Sequence, residues 1–552
     1  MPQEFVGPSI DWFALSPLLV LLGGGLFLLV AGALTPRWPR GWYALASAST
    51  AGTAAVLSVF QWSIIDRDGP GTLVAGALAF DHFAQFMTIL LCSAVVLVSL
   101  LCDDDVRGTD REGPEVFALL LMAALGGVVM ASANDLIVMF LGLEILSLAL
   151  YVLVASDRRR SESQEGGMKY FVLGGFASAF FLYGIALLYG GTGSTNISDI
   201  VAGFQAGVST GREDALILAG VALLLVGLGF KIAAVPFHVW VPDVYQGAPT
   251  PITAFMASVG KASAFAALLR VLVVALPFHR DDWRPVIWVL ALLSLTLAPM
   301  MAIVQTNVKR MLAYGSISHA GFMLVAFEAA GHRAGEADPG TGMQSVVVYL
   351  AVYSALTIGT MAVISLVSRA QGGDTRLTIL AGLATRHPVL ALSLTLLLIA
   401  QAGVPLTSGF VAKFGAIQAA VTEGSYVIAI VAMAAAVIAA FVYLRIMVTV
   451  WMSTAPGADR QMLAYVSLGA PADDADGDAA DGDAAAGAAA TSTSTATATS
   501  TEVDTTGAAI APEAITLSTA VVIAATVTFT IVVGVAPGWF LDLAANVTNY
   551  AR

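Results

Sequence analysis

Cysteine is almost missing from this chain: Cys92 and Cys102 are the two in 552 residues, too few for an iron–sulfur cluster that needs four thiolates. Both lie in or beside an apolar run and read as small buried or interfacial thiols. Charge is scarce too. Asp, Glu, Lys and Arg make up 11% of the residues against 58% apolar, which excludes a soluble globular fold. No GxGxxG follows a strand pattern and no phosphate-binding loop is present, so no nucleotide or redox site is visible. No nucleic-acid partner is expected. The first residues lack a basic n-region, so the first apolar run is expected to remain as a membrane helix. The formal charge of −13 says little about the membrane part, because much of it comes from one loop near the C-terminus.

What is present is a series of apolar runs of 18 or more residues, the mark of an all-α polytopic membrane protein in the lipid bilayer. About fourteen transmembrane helices are expected, near 13–34, 41–62, 80–101, 115–132, 134–155, 166–190, 214–240, 249–275, 284–304, 309–328, 343–368, 388–421, 425–452 and 516–541. With the N-terminus outside, the inner loops hold thirteen basic residues, Lys309 and Arg310 among them, and the outer segments hold six. The excess belongs to the cytoplasmic side, so both termini are expected outside.

Lysine is the rarest of the charged residues and the most selectively placed. Five lysines stand against twenty arginines, and four of the five, Lys169, Lys231, Lys261 and Lys413, fall inside expected spans. A desolvated ammonium can release its proton, whereas guanidinium effectively cannot. Lysine is therefore the cation a proton carrier needs. In GLGFKIAAVPFHVW, Lys231 is followed by Pro236, which removes a backbone donor and breaks the helix. A cation at bilayer depth costs at least ~2.5 kcal/mol unless paired or hydrated, so the two together suggest an ion pathway.

The 388–421 run repeats that theme. Its 34 residues would make a helix of roughly 50 Å, too long for a hydrocarbon core of about 30 Å unless tilted or broken. LIAQAGVPLTSGFVAKF supplies the break at Gly403 and Pro405, with Lys413 beyond it. The seventh and twelfth spans thus each carry a Val-Pro break and a lysine, and they run in opposite directions. Paired interrupted helices of that kind mark two inverted five-helix repeats, each with one broken helix. The expected organisation is an N-terminal three-helix segment (1–114), a first repeat (115–275), a second (284–452), an acidic low-complexity loop (453–515) and a C-terminal helix (516–552). ADDADGDAADGDAAAGAAATSTSTATATS in that loop reads as a disordered solvated linker.

Other polar residues in the spans fit the same plan. Glu144, in FLGLEILSLALY, is the only charged side chain of its span and must pair or be protonated; Lys231 is the obvious partner. A packing ion pair without turnover is the alternative. Lys261, in MASVGKASAF, is central in its span among small residues that leave room for water. Lys169 lies near the start of its span, where snorkelling and tuning of Glu144 both remain open. His319, in GSISHAGFML, suits either a proton shuttle or a hydrogen-bonded packing role. His238 and Asp243 follow the Pro236 break and either line a cytoplasmic mouth or cap backbone. Asp81 reads as a helix cap, and His82, His279, His332 and His387 receive no role.

FLGLEILSLALY, EGGMKYFVLGGFASAFFLYGIALLYG, GFKIAAVPFHVWVPDVYQGAPTPITAF, SISHAGF and GVPLTSGFVAKF resemble the antiporter-like subunits of the proton-pumping NADH:quinone oxidoreductase, respiratory complex I, which are relatives of the Mrp sodium/proton antiporters. The resemblance spans residues 80–452, and within the family VYQGAPTPITAF and Lys413 are most similar to the subunit N branch. It implies a bacterial inner-membrane subunit that translocates protons and has no redox site of its own. NADH, FMN, iron–sulfur clusters and quinone would belong to other subunits, with neighbouring antiporter-like and small membrane-arm subunits as partners. Glu144 and Lys231 would form the loading pair, Lys261 the central relay and Lys413 the terminal site, with Lys169 modulating. The insertion before the last span departs from the pattern. An Mrp-type sodium/proton antiporter subunit and a purely structural arm subunit are the other readings.

Overall fold

The computed structural model describes residues 10–35, 38–109, 111–205, 211–336, 340–453 and 515–547; the expected acidic linker falls almost wholly outside them. Among the described residues, twelve helices are long and apolar enough to cross a membrane. Val308–His332 is also 25 residues long, with GSISHAG at its centre. The expected 388–421 span is two half-helices, Pro388–Ala402 and Ser408–Thr422. Burial separates an inner group of helices from an outer one. The apolar windows of Thr250–Ala275 and Gly340–Ala370 are each 94% buried, against 28% for Ser16–Leu34. The lysine-bearing Thr250–Ala275 helix therefore stands at the centre, where its cation cannot reach a headgroup.

Caps set the ends of the spans. Asp81 accepts from the Ala84 amide at 2.8 Å, Asp135 from Ile137 at 2.8 Å, Asn307 from Lys309 at 3.0 Å and Thr407 from Phe410 at 3.4 Å. Each side-chain oxygen satisfies a donor that the first helical turn leaves without a partner. Helices then approach closely through small residues. A Cβ on Gly184 would lie 2.9 Å from the Gly220 carbonyl, which brings Ser161–Thr192 against the Lys231 helix.

Both expected breaks are present, and they close alike. Gly211–Ile232 ends at Ala233, whose φ is 63°, and the Ala234 amide donates back to Gly229 at 3.0 Å. Pro388–Ala402 ends at Gly403, whose φ is 88°, and the Val404 amide donates back to Ile399 at 3.3 Å. This is the left-handed closure by which helices commonly stop. Pro236 and Pro405 lie just beyond, in the non-helical turns. Two π-helical stretches, Met256–Gly260 and Leu269–Ala275, interrupt the central helix on either side of the turns that carry Lys261.

The last span, Leu517–Val535, is fixed by Asp104. The Thr516, Ser518 and Thr519 hydroxyls all donate to Asp104 Oδ2, from Ser518 at 2.8 Å and from Thr519 at 2.6 Å. A buried carboxylate at a helix N-terminus also meets the positive end of the helix dipole. Several short elements lie outside the expected spans, among them the hairpin Gly71–Leu73/Leu78–Phe80 and the helices Ile197–Gln205 and Val241–Gly247. They are too short to be recognised as apolar runs.

Candidate functional site

The site follows the chain of buried amines. Lys231, in the last turn before the first break, donates to the Tyr170 hydroxyl at 3.0 Å and lies 5.1 Å from that ring's centre and 5.7 Å from that of Tyr151. Tyr170 is held by Trp240, stacked at 4.6 Å, and by Tyr151, edge-on at 4.8 Å. Trp240 in turn donates to the Phe230 carbonyl at 3.2 Å, so the residues after the break fold back over the amine.

Lys261 donates to the Ser316 carbonyl at 2.7 Å and to the Ser316 hydroxyl at 2.6 Å. Tyr353 donates to the same hydroxyl at 2.7 Å, and Tyr245 lies 3.5 Å from it. One helical turn on, His319 is bonded through Nδ1 to the Tyr349 hydroxyl at 2.8 Å and through Nε2 to the Tyr443 hydroxyl at 3.0 Å. Its ring is 5.1 Å from that of Tyr353. Tyr349 stacks on Phe322, whose ring centre lies 5.0 Å from the Lys413 amine. Lys413 itself donates to the Ala402 carbonyl at 2.9 Å, a group freed by the second break.

Lys231, Lys261 and Lys413 are 7%, 2% and 5% exposed, and among the described residues none has a carboxylate within ion-pair distance. Their partners are neutral phenol, hydroxyl and carbonyl oxygens. A permanently charged group so placed would be costly. An amine that can be neutral can occupy the position, accept a proton from one side and release it to the other.

The expected Glu144–Lys231 contact is not formed. Glu144 Oε1 is buried without a hydrogen-bond partner, and Tyr170 takes the lysine instead. Lys169 is also placed away from Glu144, at 2.6 Å from both Glu165 and Asp243. Asp243 is shared with Arg310 at 2.6 Å. Partial burial pushes the Asp243 carboxyl up, but hydrogen bonds from Lys169 and Arg310, with their charges, outweigh it and hold the group below the usual carboxylate range. His238 Nδ1, like the Ser318 and Ser408 hydroxyls, is buried without a partner. Buried polar atoms of this kind are sites where water can complete a hydrogen-bonded chain.

Three groups escaped the sequence reading. Lys309, taken as a loop residue, is fully buried and donates to the Gln246 and Ala248 carbonyls at the end of Val241–Gly247. Its rarity as one of five lysines was the signal. Arg270 and Asp81 form a buried bidentate pair at 2.7 and 2.8 Å, which adds an ion pair to the expected capping role of Asp81. Glu328 is buried beside His332 at 3.1 Å, Ser425 at 2.9 Å and Arg284 at 3.5 Å. The i,i+4 spacing of Glu328 and His332 was legible; the distant Ser425 and Arg284 were not.

Two helix breaks of like backbone closure, each with a buried lysine beside it, and a third buried lysine in the central helix define an antiporter-like membrane protein. The family model for the NADH:quinone oxidoreductase/Mrp antiporter transmembrane region matches residues 133–439, and the chain belongs to that family. NADH-quinone oxidoreductase subunit N of Mycobacterium tuberculosis is 39% identical, covering 82% of this chain and 91% of the relative. Subunit N 3 of Streptomyces griseus is 36% identical, covering 100% and 96%. The resemblance to the subunit N branch is thus confirmed over most of the chain. Among solved structures, a chain of respiratory complex I from Thermus thermophilus matches with a TM-score of 0.70 at 29% identity, covering 96% of this chain and 99% of that one. A chain of the Mrp complex from Dietzia matches with a TM-score of 0.76 at 21% identity, covering 97% and 96%, which speaks for the fold alone.

Proposed function

We propose that this chain is a membrane-arm subunit of a bacterial NADH:quinone oxidoreductase and that it carries protons through Lys231, Lys261, His319 and Lys413. The observation that supports this most is a pair of hydrogen-bonded clusters, Lys261 with Ser316 and Tyr353, and His319 with Tyr349 and Tyr443, joined by the ring contact of His319 with Tyr353, and linked to Lys413 by Tyr349 stacked on the Phe322 ring below it. Buried polar clusters of this kind at bilayer depth have no packing purpose that apolar residues would not serve better. Redox chemistry with NADH, FMN, iron–sulfur clusters and quinone belongs to other subunits in this reading, and the two breaks belong to inverted repeats at 115–275 and 284–452.

Glu144 and Lys231 act as a switch rather than a fixed pair. With Lys231 on Tyr170, the carboxylate is unpaired; movement of Tyr170 would let the two groups meet and favour the charged lysine, and return to the phenol would favour release toward Lys261. Asp243, Lys169 and Arg310 stand at the basic, cytoplasmic end of this route, with both termini outside. The test is Lys231→Met in the intact membrane complex. The variant is expected to assemble while coupled turnover falls. Near wild-type quinone reduction with full proton stoichiometry would refute the relay.

A further inference from the structure

A groove of about 1120 Å³ opens at the basic end, between the ends of Pro114–Ser132, Leu136–Val154 and Ser161–Thr192. That volume exceeds what a small metabolite fills. Its walls are apolar: Leu119, Val152 and Phe171 line it, and Val152 and Phe171 are more than half exposed. Its mouth is polar and carries three arginines, Arg111, Arg158 and Arg159, against two carboxylates, Glu115 and Asp157. Arg111 is paired with Asp105 at 3.0 Å, whereas the Arg158 guanidinium has no carboxylate within ion-pair distance among the described residues.

From the geometry we infer that this groove is a binding site for an anionic phospholipid. The arginines stand where the spans end, at headgroup depth, and basic pockets between transmembrane helices on that side favour phosphate headgroups. The apolar wall continues along one helix face through Leu148, Ile145 and Leu141, all exposed, which gives an acyl chain a path toward the bilayer centre. A single apolar patch would not choose between occupants. At the mouth the Arg158 guanidinium stands without a carboxylate partner among the described residues, and with a continuous apolar wall below it this matches an anionic amphiphile. Tyr151 lines the groove and touches Tyr170, so the lipid would also close the side of the bundle nearest Lys231. The binding inference stands independently of the relay.

The test uses the full-length chain, extracted in mild detergent with the subunits that accompany it, and native mass spectrometry with added phosphatidylglycerol, phosphatidylcholine or inorganic phosphate. Phosphatidylglycerol is expected to be retained, phosphatidylcholine much less, and millimolar phosphate is expected not to displace it. The R158Q/R159Q double variant should weaken retention roughly 30-fold, at about 1 kcal/mol for each arginine near the surface. Val152→Trp, which fills the groove and leaves the arginines in place, should weaken it as well. Equal retention of both lipids, unchanged retention in both variants, displacement by phosphate alone, or a neighbouring subunit's helix seated in the groove would each overturn the assignment.

Discussion

The two helix breaks share a backbone solution and differ in what satisfies it. At Ala233 the Phe230 carbonyl accepts from the Ala233 amide at 3.1 Å and also from the Trp240 indole, and Lys231 is left to bond sideways to Tyr170 on another helix. At Gly403, among the described residues, there is no indole cap of this kind. Lys413 reaches back across the turn to the Ala402 carbonyl, and a Cβ on Gly403 would lie 2.8 Å from its Cδ. The first lysine is therefore uncoupled from its own break and can exchange partners; the second is built into its break. In the proposed relay, Lys231 as a loading site would switch between partners, and Lys413 as a terminal site would hold a proton at the negative end of a half-helix. The difference in cap chemistry suits those two roles.

Replacing each lysine separates charge from proton exchange and gives the largest expected effect. Lys413→Arg keeps a permanent cation near the Ala402 carbonyl, and Lys413→Met removes it. Both should lower proton translocation by on the order of tenfold or more, because neither side chain can take up and release a proton there. The comparison predicts that only Lys413→Met also lowers thermal stability in detergent, since only it uncaps the break. Lys231→Met should lose translocation without that loss of stability. Equal destabilisation by Lys231→Met and Lys413→Met would erase the distinction between the two breaks.

Gly403→Ala comes next. A left-handed φ costs an L-residue roughly 1–2 kcal/mol, and here the added methyl also meets the Lys413 side chain. A destabilisation of about 2 kcal/mol is expected, together with impaired translocation because Lys413 is displaced. Thermal unfolding and proton uptake in reconstituted vesicles measure the two.

A smaller effect is expected at Asp243, which with Lys169 and Arg310 clamps the chain just past the first break. The second break has no matching carboxylate clamp among the described residues. Because the folded carboxyl is held below its ordinary value, its contribution is fully present above about pH 4 and fades as pH falls through the lowered value. Unfolding measured from pH 8 downward should therefore show no Asp243-dependent difference between pH 8 and 5. Asp243→Asn should cost under about 1 kcal/mol across that range, the pair being partly exposed. A difference that grows between pH 8 and 5 would contradict the assignment.

The contrast between the breaks was half legible in the sequence. Val-Pro after a long apolar run, and a span too long for the bilayer, are local signals, and they placed both turns and both lysines. What each lysine touches was not legible, because Tyr170 is 61 residues from Lys231 and Tyr443 is 124 from His319. In the sequence, opposite charges at the same depth point to a Glu144–Lys231 pair, whereas the Tyr170 phenol that takes the lysine carries no charge to announce itself. Lys309 was missed for the opposite reason: loop lysines are counted as surface charges, and only the carbonyls of 246 and 248 turn this one inward.

The smallest expected effect is the sharpest check on the shared backbone solution. Ala233 adopts φ of 63° without being glycine, so Ala233→Gly relieves a left-handed cost of roughly 1–2 kcal/mol. Against that stands the extra backbone entropy of glycine in the unfolded chain, about 0.5–1 kcal/mol. The two nearly cancel, and a stabilisation below about 1 kcal/mol is expected in thermal unfolding. Because the Trp240 cap and the Lys231–Tyr170 contact do not involve the Ala233 methyl, translocation should be unchanged. A clear loss of translocation in this variant would mean that strain at Ala233, rather than the exchange of partners at Lys231, governs the first break.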